Sequence, residues 1–333
     1  MKVLFGTNFS VQKEIIKYFD EHKEYNLEFI VPEKLDNESL LQYADSIDIM
    51  IKDSIFKELL ENAKNLKHLQ IPWTGSDRVD FKLLKDYPHI TVSNSHSNSL
   101  TIAEHAVALL LAVAKQLRYR DSKMREGNWS TRYERVMHSL PLTGMTVGII
   151  GYGAIGQKVA KMLKYGFDMK VKAIKRHPDS VKNDNVCDFL GGMEDKQKVI
   201  SESDFLIIGL PLTPETKDFI SKEEFTLMKD QAIIVNIARG PIINEEALYN
   251  FLKNKKGFAG IDVWYNYPES ASKTEKIKQN FPFEELDNII MSPHSAFRVA
   301  DIGMKTAEDI IENLKLVAKG KDPINIINGE LGY

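Results

Sequence analysis

The sequence predicts an α/β protein built from two doubly wound parallel-sheet domains. Three observations predict it. Short apolar runs alternate with amphipathic stretches along almost the whole chain, one long apolar helix interrupts that rhythm, and the rhythm then restarts on a strand that ends in a glycine loop. Parallel strands follow from the alternation, because a crossover helix must join each strand to the next. A length of 333 residues also suits two domains, at roughly 150 residues each.

In the first part of the chain, buried strands are expected at Val3–Phe5, Leu27–Val31, Ile47–Ile51, Leu66–Ile71 and Ile90–Val92. Helices are expected between them, at Val11–Asp20, Glu38–Ala44, Ser54–Asn62 and Phe81–Asp86. Ser54 stands as an N-cap, with Lys57, Glu58 and Leu59 following in helix-forming order. Leu100–Met124 reads as one much longer helix. Its apolar side is nearly continuous from Ala106 to Val113, so it must be buried, against a sheet or against another chain.

After a loop over Gly127–Gly144, strands are expected at Thr146–Ile150, Lys170–Ile174, Phe205–Gly209, Ala232–Ile237, Gly260–Trp264 and Asn288–Met291. Helices are expected at Ala154–Lys164, Glu194–Glu202, Lys222–Lys229 and Glu245–Lys253. Six strands in this order describe a doubly wound sheet of the dinucleotide-binding, Rossmann type. Asn266–Asp287 is a long polar loop, and a last helix spans Asp301–Lys319.

Composition removes several function classes. With 44 basic and 47 acidic residues the net charge is −3, which lacks the basic excess that phosphate-backbone binding leaves, so no nucleic-acid partner is expected. The longest apolar stretch, Ile102–Ala114, is interrupted by Glu104 and His105. It falls short of the ~20 residues that a membrane-spanning helix needs, and no membrane partner is expected. The start, M-K-V-L-F-G-T-N, reads as strand and turn without a signal-peptide core. One cysteine, Cys187, allows no internal disulfide, and the expected location is cytoplasmic. No metal site is expected.

Gly151-Tyr-Gly153-Ala-Ile-Gly156 follows the strand T-V-G-I-I and opens the helix Q-K-V-A-K-M-L, the context a dinucleotide-binding glycine loop requires. Gly151 permits the tight turn, Gly153 lets a pyrophosphate approach, and Gly156 lets helix and strand pack closely. The amides of Ala154 and Ile155 face the phosphates at the positive end of the helix. An NAD-preferring site carries an acidic residue near the end of the next strand. Here that strand runs into Lys175, Arg176 and His177. Two cations and no carboxylate suit a 2′-phosphate, so NADP(H) is the expected cofactor and NAD(H) the alternative.

Three further segments end predicted strands, where open α/β sheets bind ligands: N-I-A-R-G at Asn236–Gly240, G-I-D-V-W at Gly260–Trp264 and M-S-P-H-S-A at Met291–Ala296. Together with the glycine loop and L-P-L-T-P-E-T at Leu210–Thr216, they resemble the D-isomer-specific 2-hydroxyacid dehydrogenase family. Glyoxylate/hydroxypyruvate reductases, phosphoglycerate dehydrogenases and formate dehydrogenases belong to it. The resemblance covers nearly the whole chain, with the motifs in the family's order.

The chemistry agrees with the residues independently. Reduction of a 2-keto acid needs a cation to hold the carboxylate and polarise the ketone, which suits the planar donor fork of Arg239. It also needs a proton donor titrating near neutrality, which suits His294. By similarity these two fall on the family's catalytic arginine and histidine. The resemblance further implies that Leu210, Pro211, Thr216, Ile237, Ala238 and Asp262 line the cofactor.

The family's third catalytic residue is a glutamate, and in D-V-W-Y-N-Y-P its position holds Tyr267. A carboxylate beside the histidine favours imidazolium, whereas a neutral tyrosine supplies no charge. Reduction is therefore expected to weaken at a lower pH than in glutamate-bearing relatives. Glu269, two residues on, is the alternative partner.

For the substrate, Thr74 and Gly75 in W-T-G-S-D match the family positions whose amides bind the carboxylate. Lys52 roughly matches a substrate-binding arginine, and Asn98 resembles the substrate asparagine of formate dehydrogenases. The resemblance implies that the last helix returns to the first domain, giving a flavodoxin-like substrate domain of residues 1–99 and 298–333 and a Rossmann domain of residues 100–297. It also implies an active site in the cleft between domains, and a homodimer with the long helix at its interface.

The leading expectation is thus an NADP-dependent reductase of a small 2-keto acid, glyoxylate or hydroxypyruvate. Two alternatives stay open. One is a formate-type small-anion dehydrogenase, against which Lys52-Asp53 and Lys175-Arg176 argue. The other is a dinucleotide-sensing binding protein without turnover, to which Tyr267 gives weight.

Overall fold

The computed structural model describes residues 1–133, 139–182, 184–268, 278–330 and 332. The chain divides into two compact units, Met1–Ser99 with Arg298–Tyr333, and Leu100–Phe297.

The first unit holds strands β1 (Lys2–Phe5), β2 (Glu28–Ile30), β3 (Ile49–Ile51), β4 (His68–Gln70) and β5 (Thr91–Ser93). Helices α1 (Gln12–Glu21), α2 (Asn37–Leu41), α3 (Lys57–Asn62) and α4 (Phe81–Leu84) connect them in turn. All strands pair in parallel in the order β2-β1-β3-β4-β5, the flavodoxin-type order. Short caps set the helix starts: the Asp36 carboxylate accepts from Ser39 N at 2.9 Å and that of Asp80 from Lys82 N at 2.9 Å. Helix α3 starts at Lys57 with Phe56 at its N-cap, so Ser54 does not cap it. One face of the sheet buries Leu4, Met50 and Leu69 with Leu40, Leu59 and Leu84 from α2, α3 and α4.

The second unit opens with α5 (Ser99–Ala114) and α6 (Leu117–Arg125). The single long helix expected over Leu100–Met124 is therefore two, bent by 62° where Gln116 takes a left-handed conformation at φ 55°. Nothing in the apolar pattern marks that backbone reversal. Then come β6 (Thr146–Ile150), α7 (Ala154–Phe167), β7 (Lys170–Ile174), β8 (Phe189–Gly191), α8 (Lys196–Glu202), β9 (Phe205–Ile208) and α9 (Lys222–Leu227). The unit closes with β10 (Ala232–Asn236), α10 (Glu245–Lys253), β11 (Gly257–Ile261) and β12 (Ile289–Met291). The first unit's remaining helix, α11 (Ile302–Ala318), lines the other face of its sheet with α1, burying Ile310 and Leu314 against Val3, Phe5 and Ile15.

The second sheet is also fully parallel, ordered β12-β11-β10-β9-β6-β7-β8. The expected six strands become seven, because β8 adds three residues to the edge beside β7. The central strand β10 reads A-I-I-V-N with every residue buried, the composition of a strand covered on both faces. One face packs against α5 and α7 through Val147, Ile149, Val235, Leu110 and Leu163. The other packs on α8, α9 and α10 through Ile150, Ile208, Ile234, Ile200, Phe225 and Leu252. The chain order reverses between β9 and β6, so the ends of these strands form the switch point at which such sheets bind ligands. Among the described residues no single helix is long and apolar enough to cross a membrane.

Candidate active site

The glycine loop is shaped by three different demands. Gly151 sits at φ 107°, a region closed to side chains, and an added Cβ there would lie 2.6 Å from the carbonyl carbon of Gly209. The turns after β6 and β9 can therefore cross. A Cβ on Gly156 would lie 2.3 Å from the carbonyl oxygen of Gly151, so the first turn of α7 rests directly on the loop. At Gly153, by contrast, a Cβ would meet nothing within 4 Å. This open position stands before the amides of Ala154 and Ile155 at the N-terminus of a 14-residue helix, and it fits an approaching pyrophosphate.

Past β7, the backbone of Lys175 is fixed by its N–H, which donates to Gly191 O at 3.0 Å. The Arg176 guanidinium pairs with the Glu215 carboxylate, which comes from the turn after β9. In that turn the hydroxyl of Thr216 donates to Pro211 O at 2.6 Å and accepts from Thr213 N at 2.8 Å. Thr216 is buried along with Leu210, and its side chain builds the turn.

Arg239 and His294 follow strands β10 and β12, which flank β11 on either side. After β10, the Asn236 side chain accepts from Ala238 N at 3.0 Å and donates to Arg239 O at 3.0 Å, closing the turn that carries Arg239. Ile237 and Ala238 are buried beneath it, and the guanidinium is half-buried with Nη1 donating to Ala238 O at 2.7 Å. Gly240 then presses on the chain after β11, where a Cβ would lie 2.3 Å from Trp264 O. On the other side of β11, His294 N donates to Asp262 O at 2.7 Å. Both turns thus fold onto one stretch, Asp262–Trp264, at the carboxyl end of the sheet. His294 itself has φ 54°, a left-handed backbone that costs roughly 1 kcal/mol for an ordinary side chain.

Asp262 is fully buried, and its carboxylate accepts from Ser292 Oγ at 2.5 Å, Ser295 N at 2.9 Å and Ala296 N at 3.1 Å. The structure therefore places it under the His294 loop. Tyr267 does stand beside the histidine: the ring centroids are 5.5 Å apart and the planes inclined at 51°. Its hydroxyl accepts from Trp264 N at 2.9 Å. Phe297 borders the imidazole from another side, edge-on at 6.1 Å. Glu269, the alternative partner, lies outside the described residues.

In the first unit, the Thr74 hydroxyl lies 2.6 Å from Asn98 Oδ1 and 2.9 Å from Ser95 O, so two of the expected substrate residues are neighbours. Asn94 Nδ2 holds Thr74 O at 2.7 Å, and Gly75 is half-buried next to it. Lys52, at the end of β3, donates to Gly6 O at 2.9 Å across the end of β1. All four residues belong to the carboxyl ends of the first sheet or the turns that follow them.

A model described as "D-isomer specific 2-hydroxyacid dehydrogenase, NAD binding domain" matches residues 107–296, more than half of the chain. The chain belongs to that family. A glyoxylate reductase of Thermococcus litoralis is 34% identical over 300 residues, covering 86% of this chain and 84% of the relative. A D-3-phosphoglycerate dehydrogenase of Archaeoglobus fulgidus is 31% identical over 98% of this chain, which spans only 59% of that protein's length. Among solved structures, an acyclic imino acid reductase (Bsp5) in complex with NADPH and D-Arg superposes with a TM-score of 0.81 at 28% identity, over 98% of this chain and 100% of that one.

Two residues of this family member escaped the reading of its sequence. His105 Nε2 lies 3.1 Å from Ser292 Oγ and 3.5 Å from Asp262 Oδ1, tying α5 to the histidine loop. The signal was present, an imidazole breaking an otherwise apolar helix. Glu215 is the other, and its pairing with Arg176 spans two loops with no local pattern to reveal it.

Proposed function

We propose that the protein is an NADP(H)-dependent 2-hydroxyacid dehydrogenase that reduces a small 2-keto acid, glyoxylate or hydroxypyruvate, with NAD(H) as the weaker cofactor. The observation that carries this reading is the folding of the Arg239 and His294 turns onto one stretch of backbone, Asp262–Trp264, in the sheet that also bears the glycine loop. Arg239 presents two parallel donors to the carboxylate and keto oxygen of the substrate, drawing electron density from the carbonyl carbon. A dinucleotide held at the glycine loop would supply the hydride for that carbon. His294 donates a proton to the oxygen as its negative charge develops, and the same imidazole takes the proton back in the oxidation direction. Tyr267 packs against the imidazole and limits its rotation without adding charge. Thr74, Gly75 and Asn98 hold the substrate carboxylate, with Lys52 as a second cation.

Lys175 and Arg176 support NADP(H), since both are cations and no carboxylate stands in the usual ribose-binding position. Arg176 would exchange Glu215 for the 2′-phosphate, a bidentate acceptor of higher charge. The likeness to a glyoxylate reductase supports the substrate class. The protein acts as a homodimer in this reading. Leu117, Met124, Trp129 and Tyr133, 52, 44, 60 and 75% exposed along α6 and the turn beyond it, supply apolar surface for it.

The test is consumption of NADPH with a panel of 2-keto acids, with formate and NAD as a separate arm. Turnover on glyoxylate or hydroxypyruvate is expected, and Arg239→Ala should lower kcat/KM at least ~100-fold while NADPH still binds. Tight NADPH binding with no turnover on any acid would select the dinucleotide sensor instead, a reading that Tyr267 in place of a carboxylate favours.

A further inference from the structure

We propose that His105 is a positioning residue for the proton donor: from α5 it fixes Ser292, and through Ser292 the buried Asp262 carboxylate on which the His294 loop is folded. The inference rests on His294 being that donor, as proposed above.

The approach of α5 to β11 is set by a glycine. A Cβ at Gly260 would stand 3.0 Å from Leu109 Cβ and 3.6 Å from both Leu109 O and Val113 Cγ2. Helix and strand are therefore as close as their backbones allow. His105 is four residues before Leu109 and so occupies the same helix face one turn earlier. Asp262 is two residues beyond Gly260 and so faces the same side of the strand. Two periods, one helical and one extended, bring the imidazole and the carboxylate together.

The protons can be counted. Ser292 has one hydroxyl hydrogen, and the 2.5 Å contact to Asp262 Oδ1 takes it, since a carboxylate only accepts. With that hydrogen committed, Ser292 Oγ, 3.1 Å from His105 Nε2 and 3.1 Å from Ser295 Oγ, can only accept from both. His105 thus carries its hydrogen on Nε2 and acts as the first donor of a chain that runs through Ser292 to Asp262. From Asp262 the chain continues to the histidine loop by three backbone links, Ser295 N and Ala296 N to the carboxylate and His294 N to the carbonyl at 2.7 Å. Trp264 Nε1 holds Ser292 O at 2.8 Å, pinning the start of the loop from the other side. The left-handed backbone of His294 needs such support, because isolated it relaxes away from φ 54°.

Loss of the His105 donor leaves the backbone links in place, so the loop folds but Ser292 can turn and His294 loses its fixed aim. His105→Ala and Ser292→Ala should each lower kcat for 2-keto acid reduction ~10- to 100-fold, the cost of about an ångström of misplacement. The NADPH dissociation constant and the melting temperature should stay near wild type. Oxamate should bind the NADPH complex more weakly. His105→Gln, whose amide can also donate to Ser292, should recover most of the lost kcat. Wild-type kcat in either alanine variant overturns the proposal. So does equal impairment of His105→Ala and His105→Gln together with a lowered melting temperature, which marks packing alone. Full activity in His294→Asn would instead overturn the proton-donor reading on which the inference rests.

Discussion

Tyr267 puts an aromatic ring against His294 at 5.5 Å, at the position to which the family resemblance assigns a glutamate, and its hydroxyl is held by the backbone of Trp264. The residue can therefore orient the imidazole but cannot stabilise its charged form. Installing a carboxylate with Tyr267→Glu should move the basic limb of the pH–rate profile for reduction upward by about one to three pH units, because a nearby negative charge favours imidazolium. A limb that does not move would show that residue 267 has no electrostatic hold on the reaction. The departure was legible in the sequence only through the family resemblance, which implies a glutamate five residues after Asp262. The direction of the hydroxyl was not, because it depends on a backbone amide made available by the turn at Trp264.

The glycine loop and α7 let packing and binding be separated within one element. Gly156→Ala places a Cβ 2.3 Å from backbone that cannot give way, so it should cost ~1–3 kcal/mol and lower the melting temperature by several degrees. Gly153→Ala meets nothing in the protein and should melt like wild type, yet weaken NADPH binding about tenfold, or ~1.4 kcal/mol, as the methyl fills the space for the pyrophosphate. Equal melting losses in the two variants would contradict this division of labour. Their roles could be read in advance because strand, loop and helix are contiguous in sequence. Strand β8 could not: it has three residues at a sheet edge, two of them apolar, and forms only because β7 offers it a ladder. The break between α5 and α6 was hidden for a different reason, since Gln116 is an ordinary helix former held at positive φ by its surroundings.

Across the molecule, both sheets are fully parallel, as the alternation of strands and helices implies, while the polar cores joining distant segments had no sequence signature. In the first unit, His68 is completely buried with Thr91 Oγ1 at 2.9 Å and Ser93 Oγ at 3.2 Å, and Asn313 of α11 donates to Gln70 Oε1 at 2.8 Å and Ser93 Oγ at 3.0 Å. Burial pushes the His68 imidazole down to about 4 from an ordinary 6.5. The folded state therefore holds this ring neutral, and its contribution is complete above pH ~6.5 and lost as pH falls toward 4. Urea unfolding should lose about 2 kcal/mol between pH 7 and pH 5 from this group, and His68→Gln should flatten that slope. A slope unchanged by the substitution would assign the acid sensitivity elsewhere. The central claim, that a guanidinium from β10 and an imidazole from β12 serve one small acid, is tested most directly by a crystal structure with NADPH and oxamate. Arg239 donors should lie about 3 Å from the oxamate carboxylate and carbonyl, with a His294 nitrogen at similar range of the carbonyl oxygen. Oxamate held without both side chains, or found away from the nicotinamide, would contradict it.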